Sequence, residues 1–122
     1  MQFLPETNTG TNVVRRYEAG AITVNDSTYR ASIIITETDI ITDWQPPAFD
    51  DVGSEHLKPF LSLQMDVLLL GCGETQKFLH PELLQPFMEK NVGVEIMNTA
   101  AACRTFNVLA GEGRQVVAGL FL

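Results

Sequence analysis

Little in this sequence is suited to binding metal, cross-linking the chain or carrying positive charge. Its 122 residues include two cysteines, two histidines and one tryptophan. His56 and His80 have no partner at metal-ligand spacing, so no metal site is expected. Cys72 and Cys103 fall in segments that read as a loop and a helix. No export signal accompanies them, so they are expected to be reduced thiols rather than a disulfide. No apolar run approaches the ~20 residues that cross a bilayer. The longest, around Val67 to Leu70, has the length of a strand. The opening residues MQFLPE lack a basic start and a following apolar stretch, so no secretory signal is expected, and the chain is expected to be cytoplasmic.

Positive charge is the other scarcity. Eight Lys and Arg stand against 15 Asp and Glu, a formal net charge of −7. Arg15, Arg16, Arg30, Lys58, Lys77, Lys90, Arg104 and Arg114 are scattered and form no stripe. An acidic surface without such a stripe repels phosphate backbones and anionic headgroups, so neither nucleic acid nor membrane insertion is expected. What remains is ordinary globular material, 45% hydrophobic and 19% charged. A chain of this size buries roughly two-thirds of its unfolded surface, enough for one core without staples. Residues 1–122 are therefore read as one domain.

Residues 1–12 are polar, with Pro5 and Gly10, and read as an extended lead-in. Val13 to Tyr17 and Ala21 to Val24 read as short strands parted by Gly20. Asn25-Asp26-Ser27 is a turn cluster, and Thr28 to Thr36 (TYRASIIIT) is rich in β-branched residues. Residues 13–44 are thus expected to be a β-rich hairpin region that Ile40 to Trp44 extends. Pro46-Pro47 ends it, because neither proline offers an N–H to a ladder.

Residues 54–122 alternate helix and strand signals. Ser54 is placed to cap a helix over Glu55 to Ser62, striped by Leu57, Phe60 and Leu61 and distorted by Pro59. MDVLLL, Met65 to Leu70, is a continuous apolar run stopped by Gly71, as in a buried central strand. Pro81 suits a first helical position, and Leu83, Leu84, Phe87 and Met88 make an apolar face with a kink expected at Pro86. VGVEIM, Val92 to Met97, is the next strand. Asn98 or Thr99 then caps a helix to about Ala110, closed by Gly111, with Ala102, Cys103, Phe106, Leu109 and Ala110 facing inward. RQVVAGLFL, Arg114 to Leu122, is a final interior strand. The order implies an α/β domain with a mixed, partly parallel sheet. MDVLLL, VGVEIM and the start of RQVVAGLFL should be parallel neighbours, with helices on both faces and the hairpin added.

Three features are candidates for chemistry. The loop Gly71-Cys72-Gly73-Glu74-Thr75 follows the central strand, where open parallel sheets hold their ligands. Its two glycines would admit an anion to backbone amides. Yet Gln76 stands where a dinucleotide fingerprint has its third glycine, no Gly-Lys-Ser/Thr follows, and Glu74 repels phosphate. A tight structural turn is the plainer reading, and no cofactor is expected. Cys72 would be a nucleophile if His80 or a helix N-terminus lowered its pKa, but no third residue is placed to orient the histidine. The richest polar group is Met97-Asn98-Thr99, Arg104-Thr105-Phe106-Asn107 and Glu112-Gly113-Arg114. Arg104 and Asn107, three apart, share a helix face. With Glu112 and Arg114 they form either a brace at a helix–strand junction or a cup for an anion or an acidic partner segment.

These same residues carry a resemblance. Gly71, Gly73, Met97-Asn98-Thr99, Ala102, Arg104 to Leu109, Glu112, Arg114, Val116 and Ala118 resemble a family of small α/β proteins. It includes the mitochondrial NADH dehydrogenase (complex I) assembly factor 3 and a methanogen protein that gives the fold its name. The specific part is residues 65–122, and Cys72, Pro86 and Phe106 depart from the pattern. The resemblance implies a three-layer fold, a β-hairpin layer beside an α/β/α arrangement. It also implies no established catalytic activity, and protein partners.

The expected function is therefore a non-catalytic protein-binding or assembly-factor-like module. Its candidate binding residues are Gly71, Cys72, Gly73, Thr99, Arg104, Thr105, Asn107, Glu112 and Arg114. Two alternatives stand beside it. One is a small-molecule or anion-binding protein using the Gly71–Thr75 loop and the Arg104/Arg114 cluster, and the other is a thiol enzyme using Cys72. Monomer and weak dimer both fit the sequence.

Overall fold

The computed structural model describes residues 11–122, so most of the expected lead-in, residues 1–10, lies outside the described residues. Strands β1 (Val14–Glu18), β2 (Ala21–Val24) and β3 (Ser27–Tyr29) form a three-stranded antiparallel sheet in chain order. The β1–β2 turn uses Gly20 at φ +83°, and the β2–β3 turn uses Asn25 at φ +56°, the left-handed conformation that glycine and asparagine tolerate best.

TYRASIIIT does not stay in one strand. Its first residues complete this small sheet, while β4 (Ile33–Ile35) crosses into a second one after Arg30-Ala31-Ser32. The reason is burial: Ile33, Ile34 and Ile35 are all buried, which demands a sheet covered on both faces.

That second sheet has five strands, built by β4, β5 (Ile40–Ile41), β6 (Val67–Gly71), β7 (Gly93–Met97) and β8 (Val116–Leu120) in the order β5-β4-β8-β6-β7. β7, β6 and β8 are parallel neighbours, and β4 pairs antiparallel with β8. The sheet is mixed and partly parallel, with its apolar strands at the centre.

The helices are α1 (Ser54–Leu61), α2 (Pro81–Glu89) and α3 (Thr99–Gly111). Alternation along the central strands splits the core in two. Ile33, Ile35, Leu69, Val116, Ala118 and Leu120 point toward α3 and the three-stranded sheet, meeting Phe106, Ala102, Val14, Ile22 and Val24. Ile34, Leu68, Leu70 and Val117 point the other way, onto Phe60 and Leu57 of α1 and Phe87 of α2. The result is three layers with helices on both faces of the main sheet.

Gly119 is fitted to that second core. A Cβ there would lie 2.6 Å from Phe60 Cζ and 3.1 Å from Trp44. Trp44 packs edge-on to Phe60 and Phe121, and its indole N–H donates to the His56 carbonyl at 2.9 Å.

Three local expectations are corrected. Gly53, not Ser54, is the N-cap of α1, and His56 Nδ1 accepts the Gly53 N–H at 2.8 Å, giving the side-chain-to-backbone half of a capping box. Met88 is exposed on α2 rather than on its buried stripe. Gly111 is the last helical residue of α3, and the turn is made by Gly113 at φ +79°. There the Arg114 N–H bonds back to the Leu109 carbonyl and the Gly113 N–H to that of Ala110.

Candidate functional site

The candidate residues divide by position along α3, which runs back across the parallel strands. At its start lie Gly71, Cys72, Gly73 and Thr99. Asn98 caps the helix by accepting the Ala101 N–H at 2.8 Å. Thr99 is fully buried, and its hydroxyl donates to the Phe121 carbonyl at 2.7 Å while accepting the Gly73 N–H at 2.8 Å. The Thr99 N–H bonds to the Gly73 carbonyl at 2.8 Å, and the Phe121 N–H to that of Gly71 at 2.9 Å. A Cβ on Gly71 would lie 2.9 Å from the Thr99 Cα. The two glycines thus let the loop close onto the helix start, and the Cys72 and Gly73 N–H groups bond to the Met97 carbonyl and the Thr99 hydroxyl.

In the middle of α3 stand exposed Arg104 and half-buried Thr105 and Asn107. Asn107 bonds both backbone groups of Val14 in β1, while half-buried Thr105 donates to Met97 Sδ at 3.5 Å. Arg104 is exposed, and among the described residues it forms no ion pair. It lines a hollow of about 180 Å³ between β1 and α3. Val14, Arg15, Arg16 and Tyr17 line one side, and Ala100, Cys103 and Asn107 accompany Arg104 on the other.

At the far end stand Glu112 and Arg114. α3 has 13 residues, about 20 Å of helix at the standard rise, and these two lie past its C-terminus. Both are exposed, and among the described residues neither forms an ion pair. The structure brings Thr99 together with Gly71 to Gly73, and Arg104 with Asn107. It sets Glu112 and Arg114 at the opposite end of the strands, just before central strand β8.

The thiols have separate settings. Cys72 is buried, and its Sγ donates to the Thr75 carbonyl and accepts the Lys77 N–H, each at 3.3 Å. His80 caps α2, with Nδ1 accepting the Glu82 N–H at 3.2 Å, and among the described residues no hydrogen bond joins it to Cys72. Burial, partly opposed by the charge of Arg104, pushes the Cys103 thiol up to about 11. Burial first, then the charges of Glu74 and Cys103, raise the Tyr17 hydroxyl above its ordinary value.

Sequence reasoning missed Arg15, Arg16 and Tyr17 as neighbours of Arg104. The adjacent arginines were a local signal, but their pairing with α3 spans about ninety residues of chain. It also missed Asn12. That side chain is buried, donates to the Thr36 and Asp39 carbonyls at 2.9 and 3.0 Å, and accepts from Asn25, tying the two sheets together.

A three-layer mixed α/β domain with a braced helix start and a basic hollow on one flank defines a fold class, and comparison with known proteins places the chain within it. Residues 14–121 match the family described as "Protein of unknown function (DUF498/DUF598)", and the chain belongs to that family. The NADH dehydrogenase (ubiquinone) 1 alpha subcomplex assembly factor 3 of Danio rerio is 32% identical over 117 residues, covering 94% of this chain and 66% of that protein. The 13 kDa major membrane protein of Francisella tularensis is 28% identical, with 84% of each chain covered. A crystal structure of a Bordetella parapertussis protein superposes with a TM-score of 0.86 at 35% identity, covering 94% of this chain and 98% of that one. The chain thus spans just under two-thirds of the zebrafish assembly factor's length. Among the described residues no helix is long and apolar enough to cross a membrane.

Proposed function

We propose that this protein is a non-catalytic, protein-binding module of the assembly-factor type, acting in the cytoplasm on protein partners. The observation that carries the reading is the division of labour on α3. Thr99 and Asn107 are engaged in internal hydrogen bonds, whereas Arg104 beside them is exposed and unpaired with any described carboxylate. An arginine left free on a rigid helix is the kind of anchor that dominates protein interfaces. Likeness to the zebrafish assembly factor supports the same reading.

A second reading, a small-anion binder, is favoured by the arginine-lined hollow. It is narrower than the Gly71–Thr75 and Arg104/Arg114 site expected from sequence, because Arg114 lies away from it. The test is affinity capture of the tagged protein from its native cells, with mass spectrometry and a native gel of respiratory complexes. A reproducible partner set that weakens with Arg104→Ala, while melting is unchanged, is the expected result. A turnover of the purified protein that Cys72→Ala abolishes, or no partner above background, overturns the proposal.

A further inference from the structure

We infer that the groove between β1 and α3 is a docking site for an extended acidic segment of a partner protein. The inference rests on the protein-binding reading above and names its site and the partner's chemistry.

Charge comes first. In a chain of net charge −7 with eight Lys and Arg, Arg15, Arg16 and Arg104 line one hollow. The two ion pairs among the described residues, Lys77 with Asp50 and His80 with Glu82, involve none of them. Among the described residues no carboxylate lines the hollow, and Glu74 acts at the Tyr17 end. Three unneutralised guanidiniums at one place on an acidic molecule attract a carboxylate-bearing ligand and steer its approach.

The backbone supplies the second observation. Adjacent strand residues normally point to opposite faces. The β1–β2 register slips between Val14 and Arg16, a bulge that leaves Arg15 as an extra residue, and both arginines line the same hollow. Among the described residues β1 is also an edge strand. Asn107 closes that edge at Val14, whereas among the described residues Arg16 and Tyr17 make no hydrogen bond outside the β1–β2 ladder. An open edge beside a helix is the setting in which an extended peptide adds as a strand.

The third observation is the lining. Val14, Ala100 and the neutral thiol of Cys103 are apolar, and the arginines are exposed at the rim. Such a site suits a segment with alternating side chains, apolar ones inward and carboxylates outward at a spacing of ~7 Å. A nucleic acid would meet repulsion from the rest of the surface.

The experiment uses three sets of fluorescein-labelled dodecapeptides with identical Val and Leu positions. Their remaining positions are Glu, Gln or Lys. Binding to the full chain is read by anisotropy, with inorganic phosphate and citrate as competitors and potassium chloride matched for ionic strength. The Glu set is expected to bind at least ~10-fold tighter than the Gln set, and Arg16→Glu with Arg104→Glu to remove that preference. Arg114→Glu, a single charge reversal outside the groove, is expected to alter affinity less than ~2-fold. Should the double reversal melt early, Arg15→Gln with Arg104→Gln is measured instead. Glu peptides binding no better than Gln peptides, or a double variant binding like the parent, overturns the inference. So does displacement by phosphate or citrate beyond the salt control, which assigns the hollow to small anions. Cellular partners retained by the double variant would remove the groove and leave the protein-binding reading standing; no specific partner with any form removes that reading itself.

Discussion

The side-chain amide of Asn107 grips both backbone polar groups of Val14, accepting its N–H at 2.9 Å and donating to its carbonyl at 2.8 Å. A strand neighbour would make the same two bonds, so one helix side chain stands in for a strand at the edge of β1.

Asn107→Ala is therefore expected to destabilise the domain by about 1–3 kcal/mol, the cost of leaving partly buried backbone groups unpaired. Asn107→Asp keeps the acceptor and loses the donor, setting a carboxylate against the Val14 carbonyl, and should cost at least as much. Urea denaturation of the three proteins checks both. A change below ~0.5 kcal/mol for Asn107→Ala would show that water replaces the amide without loss.

Thr99 offers a sharper test, because its hydroxyl joins the loop after β6 to the end of β8. Thr99→Val preserves the shape and strands the Gly73 N–H and the Phe121 carbonyl, and is expected to cost about 2 kcal/mol or more. Thr99→Ser keeps the hydroxyl and loses one buried methyl, about 1 kcal/mol. Equal losses in thermal melts would mean that packing, not the hydroxyl, is what Thr99 supplies.

The parallel core was legible because buried strands write themselves as apolar runs: MDVLLL and QVVAGLFL have few other ways to be satisfied. The α3 start was legible for a related reason, since Asn98 and the apolar stripe act within a few residues of each other. The division of TYRASIIIT between two sheets was not, because no glycine or proline marks the crossing at Arg30-Ala31-Ser32, and only tertiary burial separates Tyr29 from Ile33. Arg104 and Arg114 looked like one cluster because both are basic and near in sequence. Helix rise carries the chain to the other end of the strands, and Gly113 turns it there. Nothing local announces that Arg104 shares a hollow with Arg15 and Arg16.

Burial of Cys103 ties stability to alkaline pH. An unfolded thiol ionises near ~8.5, whereas the folded one holds its proton up to about 11. The stabilisation from this group is fully present below about pH 8.5 and is lost as pH rises toward 11, on the order of 3 kcal/mol across the window. Tyr17, also raised, adds a loss of the same sign at higher pH. Denaturant titrations from pH 7 to 10.5 should show falling stability in the parent and a shallower slope in Cys103→Ala. Parallel slopes would assign the loss to other groups.

Arg104 separates bracing from recognition on the same helix. It lies three residues before Asn107, so the two share a face, yet only Asn107 is bonded into the fold. Had a buried carboxylate depended on Arg104, its removal would cost about 3–5 kcal/mol. Glu112, the expected partner, is exposed beyond the end of α3. Arg104→Ala should therefore change stability by no more than ~0.5 kcal/mol near pH 7. It should also shift the Cys103 transition to still higher pH, because the arginine's charge opposes the effect of burial on that thiol. Partner capture is expected to fall in the same variant, with a binding loss of ~2 kcal/mol or more if the arginine is an anchor. The three readouts respond to different causes. A drop in melting temperature comparable to that of Asn107→Ala, with capture unchanged, would make Arg104 a brace after all and leave α3 without a recognition residue.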